Sequence, residues 1–213
     1  MKKYIFGFCV ALMFLSLTSN LSAQGFKSIY IAGGVNHIPV EGFFRFPSSE
    51  FNRRVDKISF SGSIGIFYEY TDRAEFTLGM ECISTNIGYY FGNGSTNWII
   101  KSMPIILGYN YTFYKNEKLF NIYGGIGLSF VIIKTEWNLY ADIIPEEQNY
   151  TNETYGVDVR CGIMKSIAHD LNLFVEAKYR FHGDVEVNKM NPGRLVNFSG
   201  LGILIGFSID IFN

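Results

Sequence analysis

The chain has little of several things that would fix its class at once. Its 213 residues include only 5 prolines, 3 cysteines and 3 histidines. After the N-terminus, no stretch supplies the roughly 20 consecutive apolar residues of a membrane-spanning helix. Neither charge dominates: 18 Lys and Arg stand against 19 Asp and Glu, a net charge of -1, which excludes the basic footprint of a nucleic-acid binder. His37, His169 and His182 lie far apart, with no metal-ligand spacing and no Cys/His cluster. There is no G-x-S-x-G nucleophile motif, phosphate-binding loop, dinucleotide fingerprint or internal repeat. The sequence therefore nominates no catalytic residue, no cofactor and no metal, and it favours a non-enzymatic protein.

What is present is strand material. The chain carries 22 glycines, 14 tyrosines and 20 phenylalanines, with a mean hydropathy of +0.12, and aromatic and β-branched residues favour strands. The first residues read separately. Lys2 and Lys3 precede an apolar run from Ile5 to Leu17, and Ser22-Ala23 offers the small residues of a cleavage site. We read residues 1–23 as a secretory signal peptide and residues 24–213 as one barrel domain, exported. Cleavage removes two lysines and one cysteine. Of the cysteines that remain, Cys82 and Cys161 fall on apolar strand faces, and we read them as small hydrophobes rather than a disulfide.

The clearest strand closes the chain. Leu201, Ile203, Ile205, Phe207, Ile209 and Ile211 alternate with Gly200, Gly202, Leu204, Gly206, Ser208 and Asp210, a period of two. Seven earlier segments repeat the habit. The first runs from Phe26 to Asn36. The second sets Ile58, Phe60, Ile64 and Ile66 against Ser59, Ser61, Ser63 and Gly65. The third sets Phe76, Leu78, Met80 and Cys82 against Glu75, Thr77, Gly79 and Glu81, and then the apolar parity changes to Ile87, Tyr89 and Phe91. One extra residue reverses a strand's facing, so this predicts a β-bulge near Ile83–Thr85. The fourth, from about Trp98 to Tyr114, contains Pro104, which predicts a local break. The fifth begins near Ile122, the sixth near Tyr155 and the seventh at Leu171, with long loops expected from Trp137 to Glu153 and from Gly183 to Gly193.

Connections that alternate long and short fit an all-β, eight-stranded antiparallel up-and-down transmembrane β-barrel with short turns at one end. The apolar run Leu201–Ile211, about 10 residues at ~3.3 Å each and ~45° tilt, rises roughly 23 Å, the height of an outer-membrane hydrocarbon band. A lipocalin-like soluble barrel would bury this greasy face. Against that, glycine and serine crowd the other face, and charges sit on it at mid-strand, which a narrow enclosed lumen explains. We therefore place oily side chains outward against outer-membrane lipid.

The inward charges form the candidate site. Strands six and seven make a hairpin about His169, so Asp158 should face Arg180 and Arg160 should face Lys178, with Glu176 diagonal to Arg160. Glu81 and Asp210 are expected to contribute from other strands. Together Glu81, Asp158, Arg160, Glu176, Lys178, Arg180 and Asp210 predict a polar network that plugs the lumen; an ion path is the alternative use of the same residues. The first long loop carries Phe43, Phe44, Phe46 and Phe51, read as a lid or a lipid contact ahead of a protein-binding surface.

The signal ending Ser22-Ala23-Gln24, the strand Ala32-Gly33-Gly34-Val35, the segment Met103–Tyr109, the strand Tyr123–Gly127 and the closing Ile211-Phe212 together resemble the PorT-like outer-membrane β-barrel family and, in size, OmpX- and OmpA-type barrels. The terminal aromatic is similar to the signal read by the barrel-assembly machinery, which the resemblance implies as a partner during insertion. It also implies a role beside outer-membrane secretion machinery and no catalytic residues. The expectation is a non-enzymatic outer-membrane barrel displaying loops to an envelope or extracellular protein partner. A lipid-modifying outer-membrane enzyme and an accessory subunit of a secretion machine are the alternatives.

Overall fold

The computed structural model describes residues 25–37, 52–55, 58–91, 94–116, 119–140, 146–186, 195–196 and 199–211. The expected signal peptide and the Phe-rich part of the first loop lie outside these residues.

Eight long strands make the wall: β1 (Phe26–His37), β2 (Ile58–Thr71), β3 (Ala74–Phe91), β4 (Gly94–Tyr114), β5 (Asn121–Tyr140), β6 (Glu146–Ala168), β7 (Leu171–His182) and β8 (Gly200–Asp210). Each pairs antiparallel with its sequence neighbours, and β1 pairs with both β2 and β8, so the sheet closes on itself. The fold is thus a closed eight-stranded antiparallel barrel, and no described residue is helical. One walk through facing residues shows the stagger. It runs from Gly156 by Ser129, Ile106, Gly79, Gly65, Tyr30, Ser208 and Asn172, and it returns to β6 at Ser166, ten residues farther along. Closure of a twisted sheet requires such a shear and the strand tilt that accompanies it.

The alternation read from the sequence holds on the closing side of the barrel. In β8, Ile203 and Ile205 point outward, 44% and 56% exposed, and Leu204 and Ser208 point inward and are buried. Val175 on β7 also points outward. An outward apolar belt circles the molecule, with Ile31, Ile64, Met80, Ile105, Ile126, Leu128, Val159 and Ile163 all exposed on it. Cys82 and Cys161 are free thiols on this outer surface.

The wall is uneven. β1, β7 and β8 have 12, 12 and 11 residues, whereas β4, β5 and β6 have 21, 20 and 23. The longest exceeds the shortest by about 40 Å of strand. All the excess rises at one end, called here the far end. The near end carries the turns at Asp72–Arg73 and His169–Asp170.

This height corrects three expectations. The segments 137–140 and 146–153 belong to β5 and β6 rather than to a long loop, and β4 begins at Gly94 rather than near Trp98. Connection lengths do not alternate as expected, because only two residues separate Phe91 from Gly94. The expected bulge near Ile83–Thr85 is also absent. Register shifts occur at Phe26/Ser28, Glu69/Thr71, Thr112/Tyr114 and Ser166/Ala168, all toward the near end. Through the suspect stretch, Ile83 faces Ser102 and Ile87 faces Trp98, in the register that Met80 and Ile105 already share. Pro104 interrupts the β3–β4 ladder locally, where the pairs next to it are missing, but leaves the register unchanged.

The physical reason is a change of surroundings along one regular strand. Above the apolar belt the outward residues become polar: Ser84 and Asn86 on β3, Lys101 on β4, Lys134 on β5, and Thr151 and Glu153 on β6. Large apolar residues appear on the inward face there, beside the buried hydroxyls of Thr85, Ser102 and Thr135. Ile83, Trp98, Ile100, Val131 and Ile133 are all buried, the last two at 0% and 1%. This is the arrangement of a water-soluble sheet, polar out and apolar in.

Candidate functional site

The barrel interior is built in layers along β3, whose inward residues read Thr77, Gly79, Glu81 and Ile83. Level with Gly79 is an aromatic cluster of Tyr30, Phe67 and Phe174, packed with Ala32, Leu204 and Met164. Tyr30 lies 4.8 Å from Phe67 by ring centroid, and Phe174 meets both edge-on at 5.9 and 6.5 Å. Such edge-to-face pairs complement ring quadrupoles and fill a narrow bore with rigid surface.

The charged layer sits above it, centred on Glu81, which is fully buried. Glu81 Oε2 accepts from Arg180 Nη2 at 2.6 Å and from Lys178 Nζ. Arg180 Nε donates to Asp158 Oδ1 at 2.6 Å. The hairpin register that brings these together is the one expected, Asp158 opposite Arg180 and Arg160 opposite Lys178. Glu81 comes from the far wall, separated from Arg180 by 99 positions in sequence. Strand parity told which way Glu81 faces; the barrel's curvature decides whom it meets. Two cations on one carboxylate, with Asp158 as a further acceptor, neutralise charges whose isolated burial would cost several kcal/mol each.

The other candidates fall elsewhere. Glu176 accepts from Tyr123 Oη at 3.0 Å. The expected Glu176–Arg160 contact does not form. Arg160 instead reaches along the inner wall over Gly127 on the adjacent strand and Gly108 on the next. A Cβ at Gly127 would stand 2.7 Å from Arg160 Nη2, and one at Gly108 would overlap it and crowd Thr77, so these glycines make the room for the guanidinium. Asp210 is not part of the charged layer. It sits at the near end, where its Oδ2 accepts from Asn172 Nδ2 at 3.3 Å. Its place in β8, close to the end of the strand, is why it cannot reach Arg160 or Lys178. Sequence reasoning missed Tyr123 as the partner of Glu176; its inward facing in the fifth strand was legible, but not its reach to β7.

Above Glu81 the bore turns apolar, through Ile83, Ile100, Val131 and Ile133, with Ser59 and Thr85 hydrogen-bonded to each other near them. The arrangement can hold charges apart from water and resist deformation.

No protein-family model matches the chain, and no curated protein matches it. Solved structures do. The chain is similar to Neisserial surface protein A, with a TM-score of 0.51 at 15% identity, over 87% of this chain and 97% of that one. It is also similar to the outer membrane protein OprG from Pseudomonas aeruginosa, with a TM-score of 0.53 at 15% identity, over 89% of this chain and 99% of that one. At this identity the likeness concerns the fold, a barrel of the kind found in outer-membrane proteins.

Proposed function

We propose that this chain is a non-enzymatic outer-membrane barrel that works as a sealed pedestal. Its belt spans the bilayer, its lumen is plugged by side chains, and β3–β6 lift a water-facing surface beyond the membrane toward an envelope or extracellular partner. The observation that carries this reading is that large apolar residues pass from the outer to the inner face along β3–β5, and polar ones take the outer face of β3–β6, with no shift of register in those ladders at that height. A wall that is oily outside below and polar outside above fits a hydrocarbon slab ending at that height. The layered interior supports the plug, since an eight-stranded bore is just wide enough for its own side chains.

The test is reconstitution of the full exported chain in planar bilayers, with cell fractionation beside it. We expect recovery in the outer-membrane fraction and no sustained conductance at neutral pH. Recovery in the soluble fraction, or steady single-channel steps from the pure protein, would refute the pedestal. An accessory place in a secretion machine, implied by the likeness to PorT-like barrels, is a special case of this reading. It predicts that machine's subunits among proteins cross-linked to β3–β6.

A further inference from the structure

One row of the outer wall has a composition found on neither side of it. Where the apolar belt ends, Ser84 faces Lys101, Lys101 faces Lys134, and Lys134 faces Thr151. All four residues are exposed on the outer face of four adjacent strands. The row beneath holds Cys82, Met103, Ile132 and Glu153, and the row above holds Asn86, Ile99, Glu136 and Asn149. Neighbouring strands are about 4.8 Å apart, so the row presents two ammonium groups side by side, flanked by two hydroxyls, within about 15 Å.

Like charges placed directly opposite each other across a ladder repel. Here the repulsion is half relieved: Lys101 Nζ bonds Glu136 Oε1 at 2.7 Å. Among the described residues Lys134 makes no ion pair. Two rows down, Phe130 and Tyr155 meet at 5.5 Å between ring centroids on the outer face, as aromatics do at a membrane interface. A hydrocarbon slab that covers the belt would bring its headgroups to this row.

On these grounds, and resting on the membrane-spanning reading above, we propose that Ser84, Lys101, Lys134 and Thr151 form a seat for the phosphate of an outer-leaflet lipid headgroup. Lys134 is the main charge partner, Lys101 is shared between the phosphate and Glu136, and the two hydroxyls donate from the flanks. Occupancy removes the Lys101–Lys134 repulsion and fixes the height of the barrel in the bilayer.

The probe is diphosphoryl lipid A, with its enzymatically dephosphorylated form as the control. The full exported protein is placed in phosphatidylcholine nanodiscs containing a minority of one or the other, and retained lipid is counted by native mass spectrometry after release. Each interfacial lysine near anionic lipid contributes about 1 kcal/mol, so Lys134→Gln should lower retention of the phosphorylated lipid about fivefold. Lys134→Arg should keep it. Lys165→Gln, an exposed outward lysine at the near end, should leave it unchanged. Equal retention of the two lipid forms by the wild type, or equal loss in Lys165→Gln and Lys134→Gln, would overturn the seat. A wild type that enters the nanodisc as a heat-modifiable barrel yet shows no phosphate preference removes the seat alone. A protein that fails to enter removes the membrane-spanning reading and the seat with it.

Discussion

Two stretches of β5 hold opposite habits without any break between them. Ile126 and Leu128 point outward, 53% and 51% exposed, whereas Val131 and Ile133, a few residues on, point inward and are buried. The ladder to β6 runs straight through, with Ile126 facing Val159 and Ile133 facing Asn152. The backbone is therefore not what changes. An apolar residue marks the side away from water, and that side is outward in the belt and inward in the extension. A switch of hydrophobic parity has two physical causes, an inserted residue or a change of solvent. Only the register distinguishes them.

The comparison can be broken at several points. The largest effect should come from inside the belt. Glu81→Ala leaves Lys178 and Arg180 buried without their carboxylate and should cost about 3–5 kcal/mol in denaturant unfolding from bilayers. Inside the extension the vulnerability is packing rather than charge, so Ile133→Ala should cost about 2–5 kcal/mol by the same measurement. Turning to the outer face, Ile205→Arg in the belt should cost about 2–4 kcal/mol, whereas Ser84→Arg in the extension should stay within about 0.5 kcal/mol. Equal costs for that last pair would erase the distinction between the two regions.

The smallest effect lies at the near-end turn. There His169 Nδ1 sits 2.7 Å from Asp170 Oδ1, and the hydrogen bond and charge of Asp170 raise the His169 pKa. A raised folded pKa gives stabilisation that is complete below the unfolded value near 6.5 and fades as pH rises through the folded one. Both groups are exposed, so His169→Ala should flatten a shallow pH dependence near neutrality and leave the midpoint at high pH unchanged.

How much of this was legible beforehand follows from the same contrast. In the belt, period-two reading placed Ile203, Ile205, Val175 and the inward charges of β7 on their observed sides, because lipid-like and lumen-like faces differ sharply in composition. The hairpin register opposite His169 was also readable, since a two-residue turn fixes which residues face each other. Contacts beyond the paired strand were not. Glu81 meets Arg180, and Arg160 misses Glu176 to lie over Gly108, because of shear and curvature, which no local pattern encodes. The far ends of β3–β6 were misread for a different reason. Asn138 and Asn149 look like loop residues when an outer face is assumed to be oily, and they are ordinary strand residues when that face meets water.

The most direct test of the account is single-cysteine accessibility along the outer face of β5, in a Cys82→Ser, Cys161→Ser background and in intact bilayers, at positions 126, 128, 130, 132, 134 and 136. A charged, membrane-impermeant maleimide should leave 126, 128 and 130 unlabelled and label 134 and 136, with the boundary at 132. Labelling at 126 or 128, or protection at 134 and 136 equal to that in the belt, would contradict a barrel that changes solvent partway up its own wall.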